Sequence, residues 1–245
     1  MEKIKKLFLL MAILIPAIAF TACGGDDDDE PNIPNQTLNV GQSYTIPTDG
    51  TWASDNDLIA SVSGKAVKGV RVGEVAIRNG GQSFKVTVNP TITLFKDPYL
   101  QFGANQQAVK TFMSGFEFLG EKNGTLTYID KSNSVAYGYS FENSKLKMSM
   151  VVAPSTIGSA TRVGEYLAER YVPVTDQGSY IGMVSPDKTM LIIVMVKIQS
   201  GKAVYTIAYS QNTNGTKGRS INDLEKVFEE MIKATPGELV KGGMK

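Results

Sequence analysis

From residue 36 onward the chain is cut at short intervals by Gly, Asn and Asp, and the runs between the cuts favour strands. Residues 36–40, 43–47, 59–63, 66–70, 74–78 and 83–88 are such runs. In the last of them Phe84, Val86 and Val88 alternate with Ser83, Lys85 and Thr87, so one face is apolar and the other polar. Asn79-Gly80-Gly81 before it reads as a hairpin turn, because Asn and Gly tolerate positive φ. Many short strands joined by turns argue for an all-β sandwich over residues 36–90.

Residues 91–235 read differently. Residues 91–95 are a short strand, and Asp97-Pro98 begins a turn. Residues 103–113 carry Ala104, Ala108, Val109, Phe112 and Met113 at helical spacing. Strands are expected at 125–129, 135–141 and 145–152, with turns at Asn123-Gly124 and Asn143-Ser144. The order then recurs: a helix at 159–171 and strands at 179–184, 189–198 and 203–209. Residues 191–196 are apolar on both faces, which predicts a central strand covered on both sides. A last helix over 220–233 starts at Ser220 and carries Leu224, Val227, Phe228, Met231 and Ile232 on one stripe. The expected class is therefore multi-domain: an all-β sandwich, then an α+β domain with an antiparallel sheet and helices packed on one face. Its element order reads as a duplicated α-β-β-β unit. Residues 236–245 are a tail.

The N-terminus is a targeting signal. Lys3, Lys5 and Lys6 precede an apolar run over residues 7–20 that is short for a membrane span. Phe20-Thr21-Ala22-Cys23 follows, and Cys23 is the only cysteine. These residues resemble a bacterial lipobox. That resemblance makes 1–22 a lipoprotein signal peptide and Cys23 the acylated first residue of the mature protein, anchored by several acyl chains. Asp26-Asp27-Asp28-Asp29-Glu30 repel one another, so residues 23–35 read as a solvated tether and linker. Cysteine, small residues and an acidic run together resemble the export signal of Bacteroidetes surface lipoproteins. The resemblance implies an outer-membrane location facing the cell exterior.

Further blocks carry a second resemblance: Thr51-Trp52-Ala53-Ser54-Asp55-Asn56, Ile59-Ala60-Ser61-Val62, Gly64-Lys65-Ala66-Val67-Lys68-Gly69, Val72-Gly73-Glu74-Val75-Ala76-Ile77 and Val86-Thr87-Val88. In this order they resemble a bacterial Ig-like group 2 domain, a family used in surface and adhesion proteins as a spacer or presentation module. Ala53 stands where the family has a small polar residue, and Glu74-Val75 precedes the Ala-Ile pair. The order of helices and strands after residue 91 is similar to that of the beta-lactamase-inhibitor-protein type, a likeness that transfers no function. Residues 100–103 and the Tyr/Phe-rich strands after them also resemble uncharacterised domains of Bacteroidetes lipoproteins.

Composition closes off much chemistry. The chain of 245 residues has no histidine, so no His-based triad, His-ligated zinc or His proton relay can be built. One cysteine allows neither an internal disulfide nor a cysteine metal cluster. Without residues 1–22, which hold Lys3, Lys5, Lys6 and Glu2, the chain keeps 22 basic and 23 acidic side chains. Such a balance offers no basic stripe for nucleic acid. Trp52 reads as a sugar-stacking residue or as core, and Asp55 and Asp57 as cation ligands or as a turn. Tyr137, Tyr139 and Phe141 alternate on one strand face, as a glycan platform or as core beneath a helix; core is the favoured reading for Trp52 and for these three. Glu117, Glu121 and Asp130 are the carboxylates from which a glycosidase pair would come. The sequence thus points to a non-catalytic surface lipoprotein. An Ig-like stalk would present a C-terminal domain that binds a glycan or protein, with no cofactor and no metal. An accessory subunit of an outer-membrane complex and a carboxylate-dependent glycan hydrolase are the alternatives.

Overall fold

The computed structural model describes residues 32–178, 180–199 and 202–212. Cys23, the acidic run and the expected helix over 220–233 lie outside the described residues. The fold is dominated by strands arranged in three sheets.

The first two sheets enclose one core. One runs in the order β1 (Gln36–Asn39), β7 (Gln82–Asn89), β6 (Gly73–Asn79), β3 (Ala53–Ser54), with β1 parallel to β7. The other runs β2 (Ser43–Thr45), β5 (Ala66–Gly69), β4 (Ala60–Ser63). Leu38, Ile77, Phe84, Val86 and Val88 from the first sheet meet Ala60 and Val67 from the second. In β7 the alternation is the expected one, with Phe84, Val86 and Val88 buried. Gly80-Gly81 closes the β6–β7 hairpin, with Gly80 at φ 55°. At Gly69 a Cβ would stand 2.8 Å from the backbone oxygen of Asn39, so only glycine fits this approach. The sandwich takes in residues that the linker assignment of 23–35 includes. Ile33 is buried in this core, and Asn35 Oδ1 accepts a bond from Lys85 N at 2.8 Å.

The third sheet has eight strands, in the order β12-β13-β14-β15-β11-β10-β9-β8. Helix α1 (Gln106–Phe112) precedes a meander of β8 (Glu117–Lys122), β9 (Thr125–Asp130), β10 (Val135–Glu142) and β11 (Lys145–Pro154). Helix α2 (Ala160–Ala168) precedes a second meander of β12 (Val172–Asp176), β13 (Ile181–Val184), β14 (Met190–Gln199) and β15 (Lys202–Gln211). The last strands of the two meanders, β11 and β15, pair antiparallel at the centre. The repeated unit therefore has four strands, not three. Asn105 and Ser159 cap the helices by accepting from Ala108 N and Arg162 N, each three residues on. Asn123-Gly124 and Asn143-Ser144 all have positive φ, which gives two-residue turns whose twist matches the strands they join.

The two strands of the large sheet that are missing from the sequence reading lie at its edges. β8 buries none of its six residues, so it has no apolar period to read. β12 contains Pro173, which an edge strand tolerates because one side needs no ladder bond. The strand expected at 91–95 does not form. Its backbone is held by side chains from the end of α2 instead of by a neighbouring strand. Glu169 accepts from Thr91 N at 2.9 Å, Ile92 N at 3.0 Å and the Thr91 hydroxyl. Arg170 Nη2 donates to Ile92 O at 3.1 Å. Ile92 and Phe95 are buried at a spacing of three, which a strand would not give.

The sandwich and the large sheet belong to one compact unit. Val72 N donates to Glu169 O at 2.7 Å, Arg71 Nε to Tyr171 O at 3.3 Å, and Asn56 Nδ2 to Pro186 O at 3.0 Å.

Candidate functional site

The residues singled out for binding are, with one partial exception, in the core. Tyr137 and Tyr139 are fully buried on the helix-covered face of the large sheet, and Phe141 is partly buried against the same cluster. Tyr137 Oη donates to Lys96 O at 3.1 Å, and Tyr139 Oη lies 3.1 Å from Met113 Sδ in α1. Burial pushes both phenols well above their ordinary range; nearby Asp130 adds to the effect at Tyr137. Trp52 is buried in the sandwich and packs edge-on against Phe84 at 5.6 Å. The structure places these positions in the core, the reading favoured over a platform, with Phe141 only partly buried. The physical reason is that the alternation of β10 faces the helices, and Trp52 faces the inside of the sandwich.

The acidic clusters resolve into local contacts. Asp55 accepts from Arg78 Nε at 2.8–2.9 Å, and Asn56 Oδ1 accepts from Leu58 N at 3.1 Å, which is a side-chain-stabilised turn. Glu117 pairs with Lys131, and Glu121 accepts from Gln106 Nε2 at 3.0 Å. Hydrogen bonds from Ser132 and Asn133 lower Asp130 against the opposing effect of partial burial. A general acid needs the opposite shift. Among the described residues no group of three His, Cys, Asp or Glu is placed to hold a metal ion.

A different set of residues makes a surface that sequence reasoning missed. β8 is one of the two edge strands of the large sheet among the described residues, and it exposes Phe118 and Leu119 at 49% and 44%. The strand register slips between Phe118 and Gly120, a bulge that turns the side chains of this edge. Phe118 stacks at a tilt on Tyr128 of the neighbouring strand, with ring centroids 5.2 Å apart. Beside them a groove of about 400 Å³ runs between β8 and α1, lined by Phe116, Phe118, Tyr128, Met113, Ser114 and Lys110. Phe116 in turn rests on the ring of Tyr137 at 5.4 Å, so the groove's aromatic wall is anchored on the core. Gln106 and Lys110 stand one turn apart on α1, and Glu117 and Glu121 flank Phe118 on β8. An exposed ring on a rigid base, with the Lys110 ammonium and the Ser114 hydroxyl lining the same groove, can stack on one flat face and hydrogen-bond its rim. No spacing rule marks such a site, because its members come from a helix, a loop and two strands.

A second concavity, of about 310 Å³, lies where the sandwich meets the large sheet. Ile59, Leu100 and Met190 supply its apolar wall, and Asp97, Arg170 and Asp187 its charges. Arg170 is 5% exposed, its guanidinium lies 3.8 Å over the Tyr166 ring, and its Nε is 3.4 Å from Asp97 Oδ1. Tyr166 Oη also donates to that oxygen. Partial burial works to raise the Asp187 carboxyl, but hydrogen bonds from Ser185 and Thr189 outweigh it and hold it low. These groups are occupied with one another and with the segment after residue 90, which makes this cleft a structural junction.

Among the described residues no helix is long and apolar enough to cross a membrane. No family model and no curated protein matches the chain. A search of solved structures finds the chain similar to a cysteine-rich secretory protein from Staphylococcus aureus subsp. aureus Mu50. That match has 11% identity and a TM-score of 0.22, covering 61% of this chain and 76% of the other.

Proposed function

We propose that the protein is a non-catalytic surface lipoprotein, held to the outer membrane by acylated Cys23, that binds an extracellular glycan at the Phe118 groove. In this reading residues 23–32 are the tether. The two-sheet sandwich is an Ig-like spacer of the bacterial group 2 type. The helices and eight-stranded sheet are the α+β binding domain. The single observation that carries the binding half is the exposed Phe118, next to exposed Leu119 on the edge strand and backed by Tyr128 and the groove of about 400 Å³. A sugar ring suits the site, since its C–H face stacks on a phenyl ring while its hydroxyls meet Lys110 and Ser114, the polar side chains of the groove.

The test has two arms. Cys23→Ser is expected to move the chain from the membrane fraction to the soluble fraction; retention in the membrane refutes the anchor. On a glycan array, Phe118→Ala is expected to weaken binding at least tenfold, a loss of about 1.4 kcal/mol. Folding stability should stay within about 0.5 kcal/mol, because the ring is half exposed. Unchanged binding refutes the groove. Polysaccharide turnover that disappears in Glu117→Gln would replace binding by hydrolysis.

A further inference from the structure

Of the residues that line the groove beside β8, Lys110 is the only charged one, and Ser114 stands with it as an exposed hydroxyl. Among the described residues Lys110 forms no ion pair. The carboxylates of β8 have other partners: Glu117 pairs with Lys131, Glu121 accepts from Gln106 Nε2 at 3.0 Å, and neither lines the groove. A lysine in the last turn of a helix ordinarily answers the helix's own carbonyls. At the end of α1 other groups do so. Val109 O accepts from Met113 N at 2.9 Å, Thr111 O from Ser114 N at 3.3 Å and Met113 O from Phe116 N at 2.9 Å. Phe112 O accepts from Lys96 Nζ at 2.9 Å. The Lys96 ammonium also lies 4.0 Å from the centre of the Phe112 ring and 5.0 Å from that of Phe116, itself a wall of the groove. The groove therefore holds one free ammonium and has a second against its aromatic wall.

We propose that the sugar held at this groove is acidic, a uronic-acid unit whose carboxylate meets Lys110; the assignment rests on the glycan reading of the site. The two parts of such a unit suit the two parts of the groove. Its C–H face stacks on the Phe118 ring, and its carboxylate, at the ring's edge, accepts from the Lys110 ammonium with the Ser114 hydroxyl as a second donor. A neutral sugar would leave the ammonium to water. A cationic sugar would be repelled by Lys110 and by Lys96 behind the wall. A hydrogen bond between two charged groups is about twice as strong as one between neutral groups, so the carboxylate is where affinities for different sugars should part. Because Lys110 is exposed, that preference is open to screening by salt.

Titration calorimetry on the full mature chain carrying Cys23→Ser tests this. The probes are tetrasaccharides of galacturonic, glucuronic and mannuronic acid, each as the free acid and as the methyl ester, with a sulfated neutral tetrasaccharide beside them. At least one free acid is expected to bind about tenfold tighter than its ester, which keeps the ring and loses the charge. That gap should narrow between about 0.1 M and about 1 M salt, as the screening length falls from about 10 Å to about 3 Å. Lys110→Gln should lower affinity for that acid about fivefold or more and leave its ester within about twofold, while Lys110→Arg keeps the preference for the acid. Lys68→Gln removes the same charge from an exposed position of β5 in the sandwich and should change neither. Equal binding of acid and ester, no binding of any acid, an equal loss in Lys68→Gln, or a preference for the sulfated probe overturns the assignment. If a neutral glycan still binds and loses affinity in Phe118→Ala, the glycan reading stands without the acidic sugar. If no glycan, charged or neutral, binds in a way that depends on Phe118, both fall.

Discussion

Glu169→Ala is expected to destabilise the protein by about 3–5 kcal/mol, measured by equilibrium urea unfolding of the mature chain with Cys23→Ser. Glu169 is 8% exposed and follows α2 directly. Its carboxylate collects the backbone N–H groups of Thr91 and Ile92 and the Thr91 hydroxyl. Arg170, 5% exposed, has an Nη1 3.8 Å from the same carboxylate. Alanine would leave the buried Ile92 N–H and the part-buried Thr91 N–H without their acceptor and weaken the charge balance around a buried guanidinium; each defect is costly on its own. Glu169→Gln keeps an acceptor oxygen and the packing but not the charge, so its cost should fall near half of the alanine cost. A loss below 1 kcal/mol for the alanine variant would mean that residues 91–95 are held by something else. The effect should not be confined to α2, because the backbone oxygen of Glu169 also receives Val72 N from the sandwich. A single unfolding transition that shifts as a whole is therefore expected, not the loss of one subregion.

What could be read in the sequence was what local chemistry decides. β7 shows a plain two-residue alternation, and Asn123-Gly124 and Asn143-Ser144 mark turns by their tolerance of positive φ. These features need no tertiary partner to be recognised. The three failures share one cause. β8 has nothing buried, β12 is broken by Pro173, and residues 91–95 pair with side chains distant in sequence. In each case the backbone conformation is set by what lies beside it in space. The candidate groove was hidden for the same reason. Phe118 is one aromatic among ten phenylalanines, and only its place on an unpaired edge separates it from the core. The both-faces-apolar reading of residues 191–196 holds for 191–195, while Val196 is 58% exposed. Leu191, Ile193 and Met195 point into one cluster and Ile192 and Val194 into the other.

Tyr137 decides between the aromatic strand as platform and as core, and two substitutions separate the two. Tyr137→Ala is expected to cost about 3–5 kcal/mol, because it empties a fully buried aromatic site between β10 and the helices. Loss of glycan binding in that variant would therefore report unfolding, not a lost contact. Tyr137→Phe removes only the hydroxyl that donates to Lys96 O. Its cost is expected near 1 kcal/mol, the usual net value of one hydrogen bond plus the acceptor left behind. The Phe116 ring would still find its neighbour 5.4 Å away, so the groove's wall should stand. Glycan affinity of Tyr137→Phe is accordingly expected to match the parent within twofold, while Phe118→Ala loses tenfold or more. If instead Tyr137→Phe abolished binding at unchanged stability, the ligand would have to reach a phenol that the present packing closes to water. The groove at the sheet edge would then not be the site.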